Sequence, residues 1–263
     1  MLDKVSKRNI GSKKPLLIFI PFAGGSFQAY YMLQRILDNV AEIECIDYAG
    51  HGKRHAECLA KSFTDLIDDM SIVIQKVVKS HKDCSVVIFG HSMGALALGH
   101  AANQLYDFLG ERLKGIIISS CLPPNKFCSK TVSECKDFIN DEKLIDYLAL
   151  ERNIPYHLLE SREFMQLIFP AIKNDMRILS EYQYQSLCLP PVQVHCIWGT
   201  QDYGIDRKNM DGWQKYSETQ IFWHSCVGTH FYFEEHTAMA AGILEHILNQ
   251  CLNKNTGETY DSE

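Results

Sequence analysis

The sequence predicts a three-layer α/β protein, a mostly parallel central sheet with helices on both faces and a helical insertion past its midpoint. Three observations predict it. Short apolar runs rich in β-branched residues recur along the chain with helical stretches between them. Those runs are apolar throughout rather than alternating, as suits strands covered on both faces. One of them ends in Gly90-His91-Ser92-Met93-Gly94, where an apolar strand pattern turns abruptly into a helical one.

Taken in order, LLIFI (16–20) reads as the first strand, followed by a glycine-bearing loop and a helix over 27–38. IECID (43–47) is the second strand and 63–82 a helix. SVVIF (85–89) leads through the serine turn into a helix over 92–109, and GIIISS (115–120) follows. The alternation then breaks. Residues 122–189, bounded by Pro123-Pro124 and Pro190-Pro191, hold helical patterns near 132–150 and 162–187 punctuated by Pro155 and Pro170, with no strand. An insertion at that place reads as a helical lid over the carboxyl edge of the sheet; the plain alternative is a helical layer that only adds core. VQVHCIW (192–198) and TQIFWH (219–224) complete the strands, and 207–216 and 235–251 the helices. The lysines before LLIFI mimic a signal peptide, but so short a run ended by Pro21 reads as a strand. The polar tail 253–263 is expected to fray.

With 263 residues, 46% hydrophobic and 22% charged, the chain is long enough for a full core and is read as one domain over 1–263. A net charge of -6 argues against nucleic acid as a partner. The ten cysteines form no C-x-x-C pair and no zinc-ligand spacing, which fits a reducing cytoplasm. No apolar stretch reaches the length of a membrane span. A monomer is expected, and no metal or cofactor is called for. Gly24-Gly25 lacks the flanking residues of a phosphate loop.

The chemistry centres on Ser92. A serine between strand and helix in G-x-S-x-G presents its hydroxyl at a sharp turn, and the helix behind it aims free N–H groups at a developing oxyanion. A serine needs a base, and the base an orienting acid; in this architecture they follow in the order Ser, Asp or Glu, His. Asp202, in WGTQD after a strand, and His230, in VGTHF before the last helix, satisfy that order. Asp206 competes for the acid role, and His91, His195 and His224 lie in or beside strands, where a histidine is commonly structural. His91, next to the serine, should point away from its hydroxyl. The oxyanion hole is assigned to the N–H groups of Met93 and Ala23, with Phe22 or Gly24 one residue away as alternatives to Ala23.

These segments together resemble the type II thioesterases of nonribosomal peptide and polyketide synthases, a branch of the α/β-hydrolases. The resemblance rests on IPFAGGS (20–26), YAGHGKR (48–54), FGHSMG (89–94), SSCLPP (119–124), NDMRILSEYQY (174–184), WGTQD (198–202) and GTHFYF (228–233). Ala49 stands where that family commonly has proline, and Thr229 where it commonly has glycine. The resemblance implies an α/β-hydrolase fold with a lid, and a stand-alone serine thioesterase that removes stalled or misprimed acyl groups from the phosphopantetheine arm of carrier proteins. It implies transient docking to acyl or peptidyl carrier domains and no cofactor of its own. Phe127, Phe138, Phe164 and Phe169 are candidates for an acyl channel or simply for helix packing. Arg35, Lys53, Arg54, Lys126 and Lys130 are candidates for docking or simply solvated charges. Two other readings compete: a carboxylesterase or acyltransferase with the same residues, and a non-catalytic relative that binds a ligand.

Overall fold

A computed structural model describes residues 13–138, 140–150 and 156–252. Six parallel strands form one sheet in the order β2-β1-β3-β4-β5-β6: β1 (Leu16–Ile20), β2 (Glu42–Cys45), β3 (Val86–His91), β4 (Leu113–Ser119), β5 (Gln193–Gly199) and β6 (Ile221–Cys226). This is the parallel sheet that the resemblance to α/β-hydrolases implies. The central strands β1 and β3 are buried at every position, which is why their sequences carry no polar alternation.

Helix α1 (Tyr31–Leu37) and, at the far end of the chain, α10 (Thr237–Leu252) cover one face of the sheet. Their Leu33, Leu37, Leu244 and Ile247 pack with Leu17 and Phe19. The opposite face, presenting Leu16, Ile18 and Ile20, takes α2 (Phe63–Ser80) and α3 (Met93–Leu109). Successive strand residues thus feed two separate cores, as the two-residue period of a strand requires.

Between β4 and β5 run α4 (Pro124–Asp137), α5 (Asp141–Leu150), α6 (Tyr156–Leu159) and α7 (Arg162–Ser180). The expected helix over 132–150 is therefore two helices, and the one over 162–187 ends at Ser180. Helix α7 is divided. Its first half is largely half-exposed, whereas after Pro170 the residues Ala171, Ile172, Asp175, Met176, Ile178 and Leu179 are buried. After β5 come the short α8 (Arg207–Met210) with a 3₁₀ turn (Asp211–Tyr216), and after β6 the single turn α9 (Tyr232–Glu235). The first two take the place of the expected helix 207–216, while the expected helix 235–251 is α10, preceded by the separate turn α9. Similarly, 27–38 begins as a 3₁₀ turn, Phe27–Tyr30. The second strand stops at Cys45, short of the expected 47, and the Asp47 side chain just beyond it accepts the N–H groups of Phe27 (2.8 Å) and Lys53 (2.9 Å). Pro155 and the tail 253–263 lie outside the described residues.

Register brings the functional loops to one edge. Ile20 pairs with Gly90, His91 with Ser119, Ser119 with Ile197 and Gly199 with Cys226, so the chain leaves all these strands at the same level. Among the described residues no helix is long and apolar enough to cross a membrane.

Candidate active site

Ser92 occupies the turn between β3 and α3 at φ 53°, ψ −117°, a conformation that side chains other than glycine rarely adopt. Its N–H donates to Ser119 O at 2.9 Å, and its C=O accepts from Ala95 and Leu96, so the strained turn is held on both sides. The flanking glycines answer a need for space. A Cβ at Gly90 would lie 2.5 Å from Gly94 O, and one at Gly94 would lie 2.5 Å from Pro21 O and 2.6 Å from Ile20 O. Helix α3 can therefore approach β1 only with glycine at that position.

Asp202 follows β5 and His230 follows β6, and they meet across the two loops: His230 Nδ1 lies 2.9 Å from Asp202 Oδ2. The carboxylate is 4% exposed and the imidazole 29%, so the acid is shielded while the base reaches the surface of the cavity. Asp206 is elsewhere employed. It caps α8, its Oδ1 accepting the Asn209 N–H at 2.6 Å. Ser92 and His230 line one cavity of about 410 Å³ together with Ala23, Phe127, Phe138 and Met176. Of the four phenylalanines considered for an acyl channel, Phe127 and Phe138 line it, while Phe164 and Phe169 pack against the core. Cys121 also lines this space, but burial pushes its thiol well up and keeps it from competing as a nucleophile.

The loop after β1 is tightly engaged. Gly25 N–H closes on Phe22 O at 2.8 Å, and Gly24 N–H donates to Asp175 Oδ2 at 2.7 Å, so Gly24 has no N–H left for a substrate. Among the described residues no acceptor engages the Ala23 N–H. Met93 is the first residue of α3, where N–H groups have no partner within the helix. A second cavity, about 320 Å³, is also lined by this loop. It shares Phe22, Ala23 and Tyr147 with the first and adds Ser26, Gln28 and Glu234.

His91 does not meet the Ser92 hydroxyl. It is fully buried, its Nδ1 2.8 Å from Ser119 Oγ, and Ser119 Oγ is 2.8 Å from the Tyr232 hydroxyl. Burial raises the Tyr232 phenol far above its ordinary value and keeps it protonated. This buried chain joins the residue before Ser92, the end of β4 and the second residue after His230. His195 and His224 are likewise structural, Nδ1 to Nε2 3.0 Å across β5 and β6. Neither the His91 chain nor Asp175 was singled out in the sequence. A signal for Asp175 existed, since it is a charged residue set in the apolar stripe Ile172, Met176, Leu179 of a helix.

Several cations considered for docking are used internally. Arg54 binds Asp69, Glu57 and the Asp47 carbonyl, fastening the YAGHGKR loop to α2. Lys126 donates to the carbonyls of Lys208 and Asn209, and Lys53 lies 4.4 Å over the Phe27 ring. Arg35 sits in the last turn of α1, and the Lys130 side chain is outside the described residues. Among the described residues no group of three or more His, Cys, Asp or Glu is placed to hold a metal ion.

A thioesterase domain family model matches residues 15–251. The chain is 27% identical over 245 residues to the phenyloxazoline synthase MbtB of Mycobacterium tuberculosis, covering 90% of this chain but only 16% of that protein's length. It is 23% identical to the gramicidin S biosynthesis protein GrsT of Aneurinibacillus migulanus, over 86% of each chain. Among solved structures, the type II thioesterase BorB from the borrelidin biosynthetic cluster superposes with a TM-score of 0.70. It shares 25% identity and is covered over 95% of its length, against 92% of this chain. The resemblance to type II thioesterases read from the motifs thus extends to the whole fold.

Proposed function

The chain belongs to the thioesterase family, enzymes that hydrolyse thioesters, and on that premise we propose that it serves a nonribosomal peptide or polyketide synthase as a type II thioesterase. Its substrates in this reading are acyl groups borne on the phosphopantetheine arm of carrier domains, and its task is to clear stalled or misprimed ones. The observation that carries the reading is the Asp202–His230 pair at 2.9 Å beside Ser92 on one cavity. The likeness to GrsT and BorB over most of both chains supports the biosynthetic setting.

In the mechanism, Asp202 holds the Nδ1–H of His230, so Nε2 is the nitrogen that takes the proton of Ser92. The Ser92 oxygen attacks the thioester carbonyl carbon. The oxyanion that forms is held by the N–H groups of Met93 and Ala23. Collapse breaks the C–S bond; the thiolate leaves with the proton from His230, and the acyl group stays on Ser92. Water then attacks the ester, gives its proton to His230, and the carboxylic acid departs as the proton returns to Ser92. No cofactor enters these steps. We read residues 122–189 as the lid, Phe127 and Phe138 as walls for the acyl chain, and the 320 Å³ cavity as the path of the pantetheine arm. Docking to the carrier is transient. The ten free thiols suit a cytoplasmic setting.

The test is hydrolysis of a panel of acyl groups on phosphopantetheinylated carrier protein, beside the matching pantetheine thioesters and simple oxygen esters, with Ser92→Ala as control. Faster Ser92-dependent release from the carrier is expected. Preference for free oxygen esters would reassign the protein as a carboxylesterase, and full activity in Ser92→Ala would remove the mechanism.

A further inference from the structure

Asp175 is 1% exposed in an apolar helix face, where an unpaired carboxylate is strongly unfavourable. Its Oδ2 receives two donors, Gly24 N–H at 2.7 Å and His51 Nε2 at 2.9 Å. The other ring nitrogen of His51 lies 3.1 Å from Ala49 O, so both nitrogens face acceptors and both carry hydrogen. Burial opposes charge on this imidazole. The Asp175 carboxylate, by its charge and hydrogen bond, outweighs that opposition and raises the imidazole above its ordinary value. An ion pair, 3% and 1% exposed, therefore backs the loop after β1.

A second contact acts on the same residue. Gly24 lies at φ +73°, and the Ile172 side chain, on the same helix as Asp175, fills the space a Cβ would need. Farther along the loop, Asp47 takes the Phe27 N–H and, through Lys53 N–H, ties in the segment that carries His51. Three motifs distant in sequence, AGGS, YAGHGKR and NDMR, thus converge on one carboxylate. Gly24, His51 and Asp175 themselves do not line the cavity that Ser92 and His230 share.

We infer that Asp175 and His51 are positioning residues: they hold Gly24 so that the Ala23 N–H before it points at the reacting carbonyl oxygen. This rests on the serine mechanism above. The second half of α7 is then a fixed support of the oxyanion hole, unlike the rest of the inserted segment, because any shift of Asp175 moves Gly24 with it. An oxyanion donor acts on the transition state more than on bound substrate, so its misplacement lowers kcat and leaves KM nearly unchanged.

Asp175→Ala would strand the His51 charge and endanger folding, so the main variant is the double replacement His51→Leu with Asp175→Leu, which removes both charges together. Asp175→Asn is the conservative companion. With its amide oxygen in the place of Oδ2 it can still accept from Gly24 N–H and from a neutral His51 that carries hydrogen on Nε2. The substrate is a short acyl thioester of N-acetylcysteamine, with Ser92→Ala run alongside. The double variant is expected to fold and to lose at least tenfold in kcat with KM within about threefold, while Asp175→Asn recovers most of the loss. A folded double variant with parental kcat, or one whose loss lies in KM, would overturn the inference. So would an Asp175→Asn as impaired as the double variant. Activity surviving in Ser92→Ala would instead bring down the serine mechanism itself, so the two failures are distinct.

Discussion

The ring of His91 packs against that of His230, centroids 4.9 Å apart and planes inclined at 55°. The buried imidazole supports the proposed base from below while its Nδ1 is tied to Ser119. Replacing it with leucine keeps volume but removes a polar partner from the Ser119–Tyr232 chain. We expect His91→Leu to cost about 1–3 kcal/mol, lowering Tm by several degrees, and to reduce kcat as His230 loses its floor. Thermal denaturation and steady-state kinetics check this; a variant indistinguishable from parent in both would refute it.

Asp202 and Asp206 separate cleanly. Asp202→Asn presents an N–H where His230 Nδ1–H needs an acceptor, and kcat should fall on the order of 10³–10⁴-fold with the fold intact. Asp206→Ala removes only the cap on α8, costs about 1 kcal/mol, and leaves thioester hydrolysis unchanged. Reversal of that order would make Asp206 the acid.

Gly94→Ala tests the packing behind Ser92. Its Cβ would meet backbone oxygens of Ile20 and Pro21 at 2.6 and 2.5 Å, which cannot swing aside as a side chain can. Separation of α3 from β1 should cost roughly 1–3 kcal/mol and disturb the adjoining loop, so both denaturation midpoint and kcat should drop. An unaltered midpoint would show that the strand end yields easily.

Acid stability should follow the His195–His224 pair. Burial first, then neighbouring histidines, lowers His195 to about 3 and His224 to about 4. Both are below the ordinary unfolded value of about 6.5, so between these limits the unfolded chain binds more protons than the folded one. The contribution is complete above about pH 6.5 and is lost as pH falls toward the folded values. Urea midpoints measured from pH 7 to pH 4 should decline, and His224→Gln should flatten the decline. An equally steep decline in the variant would place the acid sensitivity elsewhere.

The central strands were legible because burial on both faces leaves a continuous apolar run, as at 16–20 and 85–89. The helices over 27–38 and 207–216 were read too long, since local pattern does not distinguish a 3₁₀ turn from an α-helical one. In the inserted segment, the helical period of 162–187 was visible, but not the change at Pro170 from a half-exposed half to a buried one. Ser92, Asp202 and His230 could be chosen from their order and from their places at strand ends. That choice left Asp206 open and three neighbouring residues as possible oxyanion donors.

The sequence alone determined the alternation of strand and helix, the strained serine turn and the set of groups at the sheet's carboxyl edge, because these depend on local pattern and spacing. Only the tertiary structure decided which aspartate faces His230, that Gly24 gives its N–H to Asp175, and that His91, Ser119 and Tyr232 form one chain. Those bonds join residues as far apart as Gly24 and Asp175, 151 positions along the chain. A hydrogen bond exists only within about 3 Å and near alignment. Such proximity is set by strand register and by how α7 packs on the loops, and no local periodicity encodes it.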